Sequence, residues 1–415
     1  MSSNYLCSAA LSDIIRVILT SLNKFSRQVM IKDLPLRGIL IFFHCPANTG
    51  YAIASLEKVF FKMAEALVGD WGRIHFAYPS LANGLPNTLP EGFSQVIEFD
   101  PVDPGYGYRI ERYVRQHSID TAFGFDQPVS QPIFRYMRRG GIRYFVTYWG
   151  APMSSLNRGF KLWLKRIQVA FSRYGPDYYI FESKGMADTA VFGRGVPATR
   201  TSVVYLGVDT SRFRPDAAAP DYVHEVFGIP RDRRVFFYSG HMQKRKGVDV
   251  LIRAARELLE SHGRSDFQLL ILGNRNGEEQ VFLPFINGKT VQDHIIFGGY
   301  RNDIDQLLPG CYAGLIGSTG WDSFTMSSLE MAASGLPLLV SDLPGLNETV
   351  QKGKTGFVFP PGDFCRLAEH MVWLLDEPML RDRLSTAARA RVMNHFNLDY
   401  QLQELIRVMH ESVRT

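Results

Sequence analysis

The sequence predicts an α/β protein of two doubly wound, parallel-sheet domains facing a central cleft. Three observations carry this. Short apolar runs alternate with helix-periodic segments over most of the 415 residues. The alternation breaks once, at 209–231, and then resumes. The length suits two or three domains rather than one. A hydrophobic share of 46% beside 21% charge is that of a packed globular chain, which excludes a disordered one.

The first half gives GILIFF (38–43), RIHFAYP (73–79), QVIEFD (95–100), TAFGFD (121–126), RYFVTY (143–148) and DYYIFES (177–183) as buried strands. Segments with apolar spacing of three and four, such as 52–67 and 106–117, stand between them, which is the rhythm of a parallel sheet with crossover helices. The break DTSRFRPDAAAPDY is rich in proline, alanine and charge and reads as a linker or hinge. The second half gives RVFFYSG (234–240), FQLLILG (267–273), HIIFGG (294–299), YAGLIG (312–317), LPLLVSD (336–342) and FVFP (357–360), with a helix at 247–261. Helices at 362–376, 378–393 and 398–412 close the chain. The expected division is 1–207 and 208–393, and the helices from about 394 to 415 are candidates to pack back on the first domain. Ligands of open α/β sheets bind at the carboxyl ends of the strands. The functional loops are therefore expected after Phe43, Trp149, Gly240, Gly273, Gly299 and Gly317.

Cys7, Cys45, Cys311 and Cys365 lie far apart without CxxC spacing. A disulfide framework or zinc site is not expected, and a reducing cytoplasm is the default. The opening MSSNYLCSAALSDIIRV has no cationic stretch before its apolar part, so it reads poorly as a signal peptide. No stretch reads as a transmembrane helix. Residues 158–200 hold eight basic and three acidic groups, 8 − 3 = +5, equal to the net charge of the whole chain. That patch suits an anionic membrane or substrate. No nucleic-acid partner is expected.

Two amphipathic stripes stand out. Leu11, Ile14, Ile15, Ile18, Leu19, Leu22 and Phe25 form one. Phe160, Leu164, Ile167, Phe171 and Tyr174 form the other, flanked by Lys161, Lys165, Arg166 and Arg173. Packing against the core is the default reading of both; a helix lying on a membrane surface is the alternative.

The richest chemical signal is WDSFTMSSLEMAASGLPLLVSD (321–342). A loop ending in Ser323, Phe324 and Thr325 leads into a short helix that Gly335 and Pro337 terminate. The N–H groups at such a helix start suit a phosphate or an oxygen-rich sugar. Asp322 and Glu330 are eight residues apart and are placed to flank one elongated ligand. Taken alone, the fragment equally fits a helix-capping Asp322 and a surface Glu330.

With its neighbours this segment resembles the retaining glycosyltransferases of family 4, which have the GT-B fold of two Rossmann-like domains around a cleft. Their signature is two glutamates separated by seven residues, before a small-residue helix and a Gly-x-Pro strand. Here the pair is Asp322 and Glu330, the first acid one methylene shorter. PGLNETVQKGKTGFVFPPGD (344–363), LGVDTSRFRPD (206–216) and YSGHMQKRKGVDVLIRAARELL (238–259) continue the resemblance.

The resemblance implies a nucleotide-sugar donor, with UDP or GDP as nucleotide, and a glycan, lipid-linked or small-molecule acceptor. It implies Lys246 and Asp322 as the catalytic pair. Lys246 would stabilise the departing diphosphate, and Asp322 would hold hydroxyls of the moving sugar. His241 occupies the place of a clamping arginine, whose two-pronged fork an imidazole lacks; either the diphosphate keeps it protonated or Arg245 or Lys244 supplies the charge. Backbone N–H groups of Phe324, Thr325 and Met326 would assist at the sugar, and Glu330 would grip ribose. Asn274, Gly299 and Tyr300 fall in the loops beside the base. Gly50 would let the backbone approach the donor. Trp149 replaces the histidine common after the fifth strand and is an acceptor-platform candidate, with simple packing the alternative.

No metal or other cofactor is implied, because basic groups replace the ion. NDID (302–305) contains an Asp-x-Asp pattern, but its place before a helix favours capping by Asp303. The implied mechanism is front-face attack through an oxocarbenium-like state. A sugar-nucleotide epimerase, a phosphorylase, and a non-catalytic nucleotide-sugar-binding relative remain as alternatives.

Overall fold

The computed structural model describes residues 36–216, 221–286 and 288–414; the stripe from Leu11 to Phe25 lies outside them. Two parallel sheets organise the described chain. The first has seven strands in the order β3-β2-β1-β4-β5-β6-β7. They are Ile39–Phe42 (β1), Ile74–Tyr78 (β2), Val96–Glu98 (β3), Thr121–Phe125 (β4), Tyr144–Trp149 (β5), Tyr178–Phe181 (β6) and Thr201–Val203 (β7). The second has six in the order β10-β9-β8-β11-β12-β13. They are Arg234–Ser239 (β8), Phe267–Leu272 (β9), Ile295–Phe297 (β10), Ala313–Ile316 (β11), Leu338–Ser341 (β12) and Gly356–Phe359 (β13). This is the doubly wound α/β architecture the alternation predicts. In each sheet the strand order reverses beside the first strand, where β1 pairs with β4 and β8 with β11. The crevices at those reversals are where such sheets bind ligands.

The described α-helices of eight or more residues are Tyr51–Val68 (α1), Gly107–Gln116 (α2), Pro132–Gly140 (α3), Gly159–Ala170 (α4), Val248–Glu260 (α5), Met326–Ala333 (α6), Phe364–Asp376 (α7), Pro378–His395 (α8) and Leu398–Arg414 (α9). Most strands read as unbroken apolar runs because both faces are covered. In the first lobe Phe42, Phe99, Phe134 and Phe145 centre one core. In the second, Phe236, Leu251, Leu269, Leu315 and Leu367 centre the other.

The chain passes between the lobes twice, side by side. The Val208 N–H donates to the Phe396 carbonyl at 2.9 Å, and the Gly207 N–H donates to Gln401 Oε1 at 2.9 Å. After the second passage α9 packs on α1 and on the edge of β5.

Three features depart from the sequence reading. Strand β7 was not anticipated: its three half-buried residues leave no apolar run. The 209–231 stretch is not all linker, since Tyr222–Phe227 is helical and Val223 is fully buried. The stripe of α4 is not core. Phe160 is 70% and Phe171 79% exposed, and Val169 is the buried residue of the helix.

Candidate active site

The second-lobe wall is built at the carboxyl ends of β8, β9, β10 and β11. Gly247 sits at φ +66, and a Cβ there would lie 1.8 Å from the Gly317 carbonyl oxygen, so only glycine allows the turn after β8 to press on the turn after β11. This contact seats the Lys244–Lys246 turn against the loop that carries Asp322. Lys246 Nζ lies 2.8 and 2.9 Å from the two Asp322 oxygens. Ser318 Oγ donates to Asp322 Oδ2 at 2.6 Å, and the Ser323 N–H donates to Oδ1 at 3.1 Å. Asp322 is buried and receives three donors, the Lys246 ammonium reaching both of its oxygens; it caps no helix.

The cap of α6 is Thr325, whose hydroxyl accepts from the Ser328 N–H at 3.4 Å. The N–H groups of Thr325, Met326 and Ser327 open the helix, where no carbonyl one turn earlier can meet them. Phe324 holds this loop by its ring, packed at 4.9 Å on both Tyr205 and Phe396. Glu330, one turn into α6, is buried rather than on the surface. Burial pushes its carboxyl up to about 7, opposed by the Tyr51 hydroxyl and the Arg212 charge. Its Oε1 is buried without a hydrogen-bond partner, an acceptor suited to a hydroxyl donor.

Asn274 ties two loops together: its Oδ1 accepts from the Gly299 N–H at 2.9 Å and its Nδ2 donates to Glu279 at 2.8 Å. Tyr300 is half exposed under the Arg275 guanidinium, 3.7 Å from the ring centroid. A depression of about 500 Å³ beside it is lined by Tyr300, Arg301, Asn302, Asp305 and Arg212. His241 is held below the usual imidazole range by burial, then by the Lys246 and Arg245 charges. Arg245 lies over the Trp321 ring at 4.0 Å and donates to the Trp321 carbonyl at 2.9 Å.

Asp303 stands at the N-cap position of the short helix Ile304–Leu307 but does not cap it. Its carboxylate goes instead to Arg301 and to the Tyr222 hydroxyl, because a neighbouring guanidinium outcompetes a backbone N–H. Asp305 is paired with Arg212 at 2.8 Å. Both acids of the Asp-x-Asp pattern thus have cationic partners, and no group of three or more His, Cys, Asp or Glu is arranged for a metal among the described residues.

The first lobe contributes Gly50, the N-cap of α1, at φ 153 and ψ 175, a backbone open to glycine and strained for other residues. Tyr51 follows and places its ring beside Glu330 of the other lobe, whose charge together with burial raises the phenol. Trp149 is anchored: its indole N–H donates to the Gln127 carbonyl at 3.0 Å, and its ring packs on a core with Met186 and Val196. Among the sequence candidates, then, Lys246, Asp322, Phe324, Thr325, Met326 and Glu330 stand together, with His241 beside Lys246. Asn274, Gly299 and Tyr300 form a second group, and Trp149 sits in the first lobe.

Two acids that sequence reasoning passed over complete the opposite wall. Asp126 follows β4 at φ 53, in the left-handed region that aspartate enters more readily than most residues. It accepts from the Gly150 N–H at 2.9 Å and lies 3.9 Å from His44 Nδ1. Burial pushes its carboxyl up to about 6. Glu182, at the end of β6, is buried beside Ser323 and driven far above the carboxylate range by burial, with Asp126 and Asp322 adding to the rise. Their signal was position alone: each is the acid next after a strand's carboxyl end. Below them the lobes are tied by Glu348, whose carboxylate accepts from the N–H groups of Lys184 (3.0 Å) and Gly185 (2.8 Å) and from the Tyr205 hydroxyl (2.9 Å).

A wall of this construction, on two facing parallel sheets, is that of the GT-B glycosyltransferases. Residues 222–391 match the model of the family described as glycosyl transferases group 1, and the carboxy-terminal lobe belongs to that family. The chain is 30% identical over 227 residues to D-inositol 3-phosphate glycosyltransferase of Acidothermus cellulolyticus, covering 53% of this chain and 50% of that protein. It is 25% identical over 203 residues to UDP-Gal:alpha-D-GlcNAc-diphosphoundecaprenol alpha-1,3-galactosyltransferase of Escherichia coli, covering 49% and 52%. The alignments thus span about half the length of these curated relatives. Among solved structures, Anabaena HepE in complex with UDP superposes with a TM-score of 0.71 at 20% identity, over 90% of this chain and all of that one. A glycosyltransferase from Rickettsia africae gives 0.73 at 16%, over 91% and 99%. At these identities the likeness establishes the fold.

Proposed function

We propose that the protein is a retaining, metal-independent glycosyltransferase that moves a sugar from a UDP- or GDP-sugar to a glycan, lipid-linked or small-molecule acceptor in the cytoplasm, at or near the inner face of a membrane. The observation that carries this is the joining of Lys246, Asp322, the opening N–H groups of α6 and the buried Glu330 in one continuous wall. The solved relatives carrying UDP and UDP-glucose support a nucleotide-sugar donor.

In this reading Glu330 accepts from ribose, the α6 N–H groups and Lys246 face the diphosphate, and Asp322 faces the sugar. As the anomeric carbon–oxygen bond breaks, negative charge grows on the leaving phosphate, where a preorganised ammonium and N–H dipoles lower the barrier. The acceptor oxygen attacks from the same face and passes its proton to the departing phosphate oxygen. Asp126 and Glu182 line the opposite wall, and burial favours the protonated form of each, which suits hydrogen bonding to sugar more than double displacement.

The deciding experiment is proton NMR of the first product formed from a nucleotide sugar with an α-linked sugar. An α linkage is expected; a β linkage overturns the reading. Turnover that requires inorganic phosphate, or isomerises the donor with no acceptor present, replaces it with a phosphorylase or an epimerase.

A further inference from the structure

The exposed stripe of α4 is a surface without a partner among the described residues. Phe160, Trp163, Leu164 and Phe171 are 70%, 53%, 42% and 79% exposed. With Ile167 they span a stripe about 100° wide on one helix face. The Phe160 and Trp163 rings stack on each other at 5.4 Å. The helix is nevertheless fixed. Val169 is buried in a core with Ala190 and Val196, and a Cβ on Gly195 would lie 2.7 Å from the Arg166 nitrogen, so backbone meets backbone. A rigid helix that turns its aromatics outward is built to be covered.

Charge says by what. Residues 158–176 hold Arg158, Lys161, Lys165, Arg166 and Arg173 and no acid. A second copy meeting this face through a two-fold axis would bring like charges together. A partner with an apolar interior beneath an anionic surface satisfies both halves of the helix at once. Basic amphipathic helices with aromatics on the apolar face settle at such a boundary.

We propose that α4 docks the protein on an anionic lipid bilayer, the aromatic stripe entering the headgroup boundary and the five cations holding the lipid charge. The helix also opens directly after the cleft: the segment 150–158 runs from Gly150, bonded to Asp126, to the first turn of α4. Docking there brings the acceptor side of the cleft to the lipid surface, so the acceptor is lipid-borne. This last step rests on the glycosyltransferase reading; the docking itself does not.

The test is cosedimentation of the full chain with vesicles of phosphatidylcholine alone and of phosphatidylcholine with phosphatidylglycerol, at low and high salt. The wild type is expected to pellet with the mixed vesicles at low salt and to stay in solution with phosphatidylcholine alone. Phe160→Ser/Trp163→Ser and Lys161→Gln/Lys165→Gln, with unchanged melting temperature, should each weaken binding roughly tenfold or more. No pelleting with mixed vesicles, or pelleting that both variants retain, overturns the proposal. A wild-type dimer that Phe160→Ser/Trp163→Ser makes monomeric, without vesicle binding, assigns the face to a second copy and also overturns it. Donor hydrolysis measured without vesicles separates the two readings: hydrolysis without docking sinks the surface alone, and docking without hydrolysis sinks the catalytic reading alone.

Discussion

Lys246 and Asp322, proposed to face the diphosphate and the sugar of the donor, grip each other across 2.8 Å. They are 15% and 5% exposed at the side chain, so neither charge has bulk water to fall back on. Removing one partner of a buried pair leaves the other uncompensated, which costs about 3–5 kcal/mol. Lys246→Met and Asp322→Asn should therefore each lower the melting temperature, and the double variant should lose less than the sum of the two. Thermal melts of all four proteins check this, and strict additivity refutes the coupling. Asp322→Asn should also lower kcat more than it changes donor KM, because the sugar it faces reorganises in the transition state.

Glu330 should behave in the opposite way. Ribose changes little during transfer, so Glu330→Gln should raise donor KM with kcat nearly kept. A charge-assisted hydrogen bond is worth about 1.5–3 kcal/mol, or roughly ten- to a hundredfold. The same variant carries a pH signature. Burial raises the folded carboxyl to about 7, above the ordinary 4.5, so the folded state binds the extra proton between those values. Stability from this group is then full below pH 4.5 and is lost as pH rises through 7. Glu330→Gln should gain melting temperature over the wild type as pH rises through that window; a pH-independent difference counts against the assignment.

The imidazole of His241 is kept neutral by burial and by its cationic neighbours. His241→Arg should place a permanent charge beside Lys246 and be tolerated or mildly activating, with the gain largest above pH 7. Steady-state kcat/KM from pH 5.5 to 8.5 shows it. A loss at every pH removes His241 from the diphosphate end of the site.

Turnover should persist in EDTA. The carboxylates of Asp303 and Asp305 are engaged by Arg301, Tyr222 and Arg212, and in the proposed reading Lys246 supplies the positive charge at the diphosphate. Complete loss of rate, restored by added Mg²⁺ or Mn²⁺, would reassign those two acids.

The fold was legible because a parallel strand covered on both faces is an apolar run between turns, and twelve of the thirteen strands have one. Thr201–Val203 escaped because Thr-Ser-Val carries no apolar run, unlike the equally short edge strand Val96–Glu98, which lies within QVIEFD. The grouping of candidate residues was legible where they are neighbours in sequence, from Asp322 to Glu330. Glu182 and Tyr51 were not, since their neighbours Ser323 and Glu330 lie on the other lobe, and Asp126 was not, since it meets Gly150 and His44 only once the first sheet is assembled. Asp303 was misjudged because a capping pattern does not say whether a guanidinium lies nearer. The stripe of α4 gave its period but not its neighbour: the same spacing serves a core and a membrane, and only the tertiary structure tells them apart.

The return of α9 to the first lobe has a consequence for how the protein is made. Leu405, Val408 and Met409 are fully buried on a helix that packs against α1 and β5, so the lobe begun at β1 is finished by a segment made only after the whole second lobe. The second lobe, from β8 to α8, is continuous and can close as soon as it emerges. The first lobe must wait through the whole synthesis of the second with one face of α1 bare. Emergence of α9, rather than of the early strands, sets the moment at which both walls of the cleft exist together.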